Sequence, residues 1–478
     1  MKFLISACVV ALVATAAARQ GAAGKAAAPP TFAETIAPIV FSNCVSCHRA
    51  GEAAPFTLTS YDDVAKRADL IVKVTQSRYM PPWKAVEGHG EFLDERRLTD
   101  AQIAAIRDWA AAGKPRGDMS KLPPLPTFTD GWQLGKPDLI LEMPTAFTVP
   151  ATGPDIYRNF AIPTGLTEDK WVRAIEFRPS ARRAVHHALF SFVRGGAVAK
   201  LEGRGGKPGF GGAMPVALVP GFQPAGDLGT WAVGTTPRNF PAGVARRLVK
   251  DSDLIIQTHF HPTGKEETEK STVGIYFADG PPERRVMTPG IPGFFGALAN
   301  IDIPPGEKAY KITGTLNVGR DMHAVSVMAH AHYLGKEIRA DATLPDGTTK
   351  PLLYIQDWDF NWQDRYDYKV PIFLPKGTRI DVAITYDNSA ANPRNPCNPP
   401  RRVQWGTGSF DEMGSVNFLM VPVSNDVDAE QQQRMAAAIK GAIEKVAASD
   451  AMKRYAAEQK RFMEDPSREG ALDPCKVQ

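Results

Sequence analysis

Between Lys136 and Val423 the apolar residues come in short runs, not in helical stripes. "DLILEM", "RNFAIP", "WVRAIEFRP", "AVHHALFSFV" and "DLIIQTHF" are separated by Pro, Gly and Asp, the pattern of short strands between turns. The texture resumes in "AYKITGTLNV", "AVSVMAHAHYL", "KPLLYIQDW", "RIDVAITYD" and "SVNFLMVPV". These runs cover about 290 residues, too many for one sandwich, so two β-sandwich domains are predicted. The break between them falls in "PPERRVMTPGIPGFFGALAN", 281–300. Ahead of this half the pattern is helical. In "LTDAQIAAIRDWAAAG" Thr99 is the N-cap with Gln102 as its capping-box partner. Ile103, Ile106 and Trp109–Ala110 form the apolar stripe, and Gly113 stops the helix. A Pro-rich linker, "KLPPLPTFTDG", joins the halves, and a polar helical tail follows the last strand.

Composition changes this picture little. Of 478 residues, 43% are hydrophobic and 23% charged, which suits a globular protein. The 40 Pro and 41 Gly agree with many turns and short strands. Basic and acidic residues nearly balance, 56 against 52 with no basic block, so nucleic-acid binding is not indicated.

The N-terminus reads as an export signal. Lys2 is followed by the apolar "FLISACVVALVA" and the small-residue "ATAAA". That run is short for a membrane span and is closed by Arg19. "ISAC" resembles a lipoprotein box at Cys8, but the apolar run continues past it, so lipidation is not expected. The expected order is signal peptide 1–18, low-complexity spacer 19–31, helical domain 32–117, linker 118–135, sandwiches 136–285 and 286–424, and tail 425–478. The mature protein is expected to be soluble and exported, for example periplasmic, without a transmembrane segment.

Of the five cysteines, Cys44 and Cys47 stand in "CVSCH" with His48. This is the attachment signature of a c-type haem, with two thiols for the vinyls and the next His for the iron. A zinc site would want a second CxxC or a Cys/His pair nearby, and none is present. For the sixth haem ligand Met80, in "SRYMPPWKA", is the candidate, with His89 competing and a core role for Met80 as the alternative. The segment resembles a small monohaem cytochrome c domain. Cys397 and Cys475 remain; they pair in an oxidising compartment or are unrelated thiols.

Six of the nine histidines fall in three tight groups: His186-His187, His259-Phe260-His261 and His330-Ala331-His332. Such clustering in β-rich sequence points to metal. Residues at i and i+2 share one face of a strand, roughly 7 Å apart at ~3.3 Å per residue. The tandem pair needs a bulge to turn both rings one way. Imidazole suits Zn, Cu, Ni and Fe. Met413, at the head of the last β run, is a thioether candidate that favours copper over zinc.

In order, "VHHA", "IIQTHFHPTG", "VMAHAHYLGKEI" and "DEMGSVNFLM" resemble the type II copper, ascorbate-dependent monooxygenases. That family includes peptidylglycine α-hydroxylating monooxygenase and dopamine β-monooxygenase. The resemblance implies two consecutive antiparallel jelly-roll sandwiches, each carrying one copper. It assigns His186, His187 and His259 to an electron-transfer copper. It assigns His330, His332 and Met413 to the copper where O2 binds and substrate is oxidised. His261 has no ligand role in the animal family and is treated as second shell or spare. His323 is taken as structural. Where the peptide enzyme grips its substrate carboxylate with Arg and Tyr, this chain has Met328 and Asn417, so a glycine-extended peptide is not the expected substrate. The whole order resembles bacterial exported proteins that join a cytochrome c to this copper module.

The fold expected is thus multidomain: a small all-α cytochrome c domain, two all-β jelly-roll sandwiches and a helical tail. The function expected is hydroxylation of a C–H bond in a small organic substrate. The expected cofactors are one covalent haem c, two copper ions, and ascorbate or another reductant; the partners are substrate, O2 and an exported electron donor. The alternatives are a non-catalytic haem/copper electron-transfer or copper-carrying protein, and a zinc hydrolase.

Overall fold

The strand Ser252–Phe260 is buried at every position because it is the centre of a five-stranded sheet. Its neighbours, in order across the sheet, are Phe210–Gly211 and Ile156–Pro163 on one side, and Val185–Arg194 and Pro224–Ala232 on the other. A second five-stranded sheet, built around Lys170–Arg178 and Thr272–Phe277, closes over it. Between the two lie Phe160, Phe177, Phe190, Ile256 and Phe260. Each such buried side chain contributes about 1.5–3 kcal/mol relative to exposure.

The chain is known from a computed structural model that describes residues 28–194, 196, 198–203, 206–212, 224–424, 429–464 and 475. The expected leader 1–18, with Cys8, and most of the spacer lie outside the described residues.

Past residue 286 the alternation repeats on a second pair of sheets. One is ordered Gly290–Ile291, Gly414–Pro422, Met322–Ala331, Arg365–Leu374. The other is ordered Tyr310–Asn317, Arg379–Tyr386, Gly335–Thr343, Thr349–Ile355. Ile312, Val327, Ile338, Ile384 and Phe418 pack between them. In the first of these sheets Ala331 stands opposite Gly414, and Met328 opposite Asn417. His323, on the same strand, packs on Phe373.

The expectation of an all-α cytochrome c domain ahead of the sandwiches is overturned. The chain is mainly β, with 35% strand against 17% helix, and a helical cytochrome c domain is not seen. The helical segments before residue 117 are short: α1 (Ala37–Asn43), α2 (Tyr61–Lys66), α3 (Ala68–Gln76) and α4 (Asp100–Ala111). The capping box of Thr99 and Gln102 is formed at the start of α4. Between α3 and α4 the chain leaves the helices. Isolated bridges pair Ala85 with Ile355 and Phe92 with Tyr368. Ala85 and Phe92 belong to the core of the second sandwich, with Trp83 packed beside them. The physical reason is composition: 77–98 carries no helical stripe, and its apolar residues find partners on a sheet instead.

After the last strand come α5 (Ala429–Ala448) and α6 (Asp450–Glu464), and Ala451 and Tyr455 of α6 join the second core. Cys397 and Cys475 form a disulfide with their Cα atoms 5.2 Å apart. Among the described residues no helix is long and apolar enough to cross a membrane.

Candidate metal centres

His186 and His187 enter the strand Val185–Arg194 where its pairing slips. Val185 faces Phe260 and His187 faces His259, so His186 is the extra residue of a bulge. The bulge swings its ring to the side of its neighbour. His186 Nδ1 lies 3.1 Å from His259 Nδ1, which lies 3.1 Å from His187 Nε2. These three residues form the described cluster of His, Cys and carboxylate side chains with metal-binding spacing.

The far nitrogens of two rings are already engaged. His186 Nε2 is 3.2 Å from the carbonyl of Asn361, which only accepts, so Nε2 carries the hydrogen and Nδ1 is left with a lone pair. His259 Nε2 is 2.9 Å from Asp155 Oδ2, close though off-line for a strong hydrogen bond. A carboxylate there keeps the hydrogen on Nε2 and leaves His259 Nδ1 bare. Two lone pairs at 3.1 Å repel unless a cation sits between them. Four-coordinate imidazole sites place nitrogens ~2.0–2.1 Å from the ion, hence about 3.3 Å from one another. The spacing here fits that.

His261 is not among the three. Its Nδ1 bonds the other oxygen of Asp155 at 2.8 Å and its side chain is 64% exposed. Burial alone would raise the Asp155 carboxyl, but hydrogen bonds from His259 and His261 outweigh it and hold it below the usual range. The same bond raises His261. Asp155 therefore clamps His259 from behind, as carboxylates do for metal-bound histidines. Ser409, from the second sandwich, donates to Asp155 Oδ2 at 3.3 Å and is 2.9 Å from the Tyr157 hydroxyl.

The second group forms where the strands Met322–Ala331 and Gly414–Pro422 meet. The rings of His330 and His332 are 5.1 Å apart. His332 Nδ1 donates to the carbonyl of Asp411 at 3.0 Å. His330 Nδ1 donates to Gln363 Oε1 at 2.6 Å, and the Gln363 amide is oriented because its Nε2 donates to the Phe360 carbonyl at 3.2 Å. Each ring thus keeps Nε2 as its spare ligand atom. Met413 precedes Gly414, the partner of Ala331, which brings it beside His332. The Tyr386 hydroxyl donates to the Met413 carbonyl at 2.9 Å, and a Cβ on Gly414 would collide with that hydroxyl. Glu412, fully buried, accepts from the backbone of His332 and Leu334, and burial lifts its carboxyl to about 8.

Burial dominates the electrostatics of both groups. It holds His186 at about 3, His330 at about 4 and His332 at about 3, and pushes His187 well below the ordinary imidazole range. All four are neutral at pH 7, the form that binds metal.

The CxxCH segment follows α1. Cys44 and Cys47 are unpaired thiols. Burial pushes Cys44 up to about 12 and raises Cys47, the reverse of an activated redox dithiol. His48 Nδ1 donates to the Phe56 carbonyl at 3.0 Å, which leaves Nε2 for an axial bond. These thiols and this ring fit haem attachment. Cys47 borders a cavity of about 680 Å3 whose lining also includes Phe190 and Trp231 of the first sandwich. Met80 is partly buried, with its amide bonded to the Val74 carbonyl. No contact joins it to His48 among those described. His89 lies on Tyr354, 5.0 Å between ring centres, and its Nδ1 meets the Glu87 carbonyl.

The loop 357–364 escaped the sequence reading, as did Asp155. Its motif "DWDFNWQD" signals only an aromatic, acidic turn, and no local spacing ties it to a histidine.

No protein-family model and no curated protein matches the chain. Solved structures resemble it only faintly. "PNGF-II" is 9% identical over 59% of this chain and 66% of its own, just under two thirds, with a TM-score of 0.21. An infectious bursal disease virus particle is 10% identical over 68% and 89%, with a TM-score of 0.16. That virus's VP2 subviral particle is 12% identical over 71% and 96%, with a TM-score of 0.15. Likeness this slight carries no functional argument.

Proposed function

We infer that the chain is an exported, copper-dependent monooxygenase that hydroxylates a C–H bond of a small organic substrate with O2. The observation that carries this reading is the pair of unlike donor sets: three imidazole nitrogens in one group, two with a thioether beside them in the other. Copper held by these residues would supply redox chemistry toward O2, and a haem on Cys44 and Cys47 would relay electrons from an exported donor.

The residues divide the work. His186, His187 and His259 form a closed, all-nitrogen set aimed by Asn361 and Asp155, suited to a centre that only passes electrons. His330 and His332 keep Nε2 free of the bonds that orient them, and Met413, next to His332 in the strand register, would supply a soft third donor, which favours Cu(I). Trp358 and Phe360 are buried against His332, which shields that side of the second group from water. Met328 and Asn417 face each other across the strands, and Met328 Sδ accepts from Thr230 at 3.3 Å. The disulfide supports export, because such bonds persist in oxidising compartments.

A second reading, a haem/copper electron-transfer or copper-carrying protein, is favoured by closure of the second group. His332 is 2% exposed and Met413 6%. Reductant-driven turnover under 18O2 separates the two. The monooxygenase predicts one 18O atom per product and loss of product in Met413→Leu with the haem spectrum intact. Oxidation of copper and haem without labelled product leaves the carrier.

A further inference from the structure

One five-residue loop, 359–363, touches both histidine groups. The Asn361 carbonyl accepts from His186 Nε2, and Gln363 Oε1 accepts from His330 Nδ1. Between them the Phe360 ring lies 5.5 Å from His186, 5.9 Å from His259 and 5.5 Å from His332, centre to centre. The loop is internally braced. Asp359 Oδ1 accepts from the Asn361 amide at 3.1 Å and side chain at 2.9 Å. Gln363 Nε2 donates to the Phe360 carbonyl, and Trp358 Nε1 donates to the His332 carbonyl at 3.1 Å. It is also held from outside. Arg96, from the segment after the CxxCH motif, pairs with Asp364 at 2.5 Å, and Lys84 lies 3.9 Å from Asp359.

We propose that the 359–363 loop is a single positioning element for both groups, so that a metal ion in either one strengthens binding in the other. The proposal rests on the reading that both groups hold copper. An imidazole is aimed by whatever its second nitrogen bonds. Here the partners of His186 and His330 are two residues apart, and the carbonyl that orients Gln363 belongs to Phe360, the residue before Asn361. An ion that fixes His186 fixes Asn361, and through the braced turn it fixes the acceptor of His330. Gln363 is 3% exposed and Phe360 2%, so these two have little room to move, and the exposed Asn361 between them is tied down by Asp359. By linkage the effect is reciprocal. Asn361 and Gln363 act through histidines and are positioning residues.

The test is copper(II) titration of the metal-free full-length chain, with native mass spectrometry counting ions. His187→Ala isolates the second group; the double variant His330→Ala, His332→Ala isolates the first. Independent groups would make the wild-type curve the sum of the two isolated curves. The loop predicts instead that each isolated group binds about 5–150-fold more weakly than in the wild type. Gln363→Leu is expected to weaken the second group by roughly 10–100-fold and the three-histidine group as well; Gln363→Glu, which keeps the acceptor for His330 but loses the donor to the Phe360 carbonyl, is expected to restore the second group and not the first. Additive curves, or a Gln363→Leu effect confined to its own group, overturn the coupling. The isolated-group arm stands whether or not Gln363→Leu folds. A wild-type chain that takes up no copper at either group overturns the copper reading as well, whereas two ions with additive curves overturn the coupling alone.

Discussion

The two histidine groups solve one problem in different ways. In each, two imidazoles have their outer nitrogen engaged by the protein. The first is made by a strand defect: the bulge at His186 gathers three nitrogens within reach of one ion. The second forms at a strand end: His330 lies in the strand Met322–Ala331 and His332 just past it, with Met413 just ahead of the neighbouring strand as third donor. The first group is complete in nitrogen and backed by a carboxylate. The second is short of one nitrogen and backed only by an amide and a carbonyl. Charge behind a ligand strengthens its hold, and a missing ligand leaves room for chemistry. On the proposed copper reading, that difference assigns storage of an electron to the first group and its use to the second.

The largest effect expected from breaking this comparison is His259→Ala. It removes the ring that both other nitrogens face, so copper per chain is expected to fall from two to one by elemental analysis. Retention of both ions would show that the three rings do not form one site.

Acid comes next and treats both groups alike. His186, His330 and His332 have folded-state values of about 3 to 4, below the ordinary 6.5. The unfolded chain therefore binds more protons in that window, and stability rises with pH across it. The metal-free protein is expected to lose stability as pH falls from 6.5 toward 4, read as a falling denaturation midpoint. A flat profile there would mean the rings are not buried as neutral groups.

Asp155→Ala sharpens the contrast, because its carboxylate serves only the first group's His259. A weakening of copper binding of about 10–100-fold is expected there. Equal weakening at both groups would show that Asp155 acts through the contact between the sandwiches at Ser409 instead. His261→Ala should change least. Its ring is exposed and reaches the first group only through Asp155, so a copper affinity shift below about threefold is expected, in line with the modest worth of exposed ion pairs. A loss of one ion would make His261 a ligand.

Legibility in the sequence follows the range of each contact. Of the i and i+2 pairs, His330 and His332 lie together as local alternation implies, whereas His261, past the end of its strand, turns to Asp155. "CVSCH" was readable because thiols and ring lie within five residues. The tandem histidines required a deformed strand, and the slip of register at Val185 supplies it. The helical region was over-read from one strong helix, Asp100–Ala111, whose cap and stripe do not extend back through 77–98. Trp83, Ala85 and Phe92 there pack on a sheet more than 250 positions away, a pairing no local periodicity encodes. Asp155 and Gln363 escaped for the same reason: each lies at least 33 positions from the histidine it orients, and its residue type is ordinary for a surface turn.

The central claim is that two unlike histidine groups each hold one copper ion. It is tested most directly by plasma mass spectrometry of the chain purified from copper-supplemented cells, alongside His187→Ala. The account predicts two copper ions per chain in the wild type and one in the variant, with zinc at trace level. Zinc in place of copper, or the same metal content in both proteins, would contradict it.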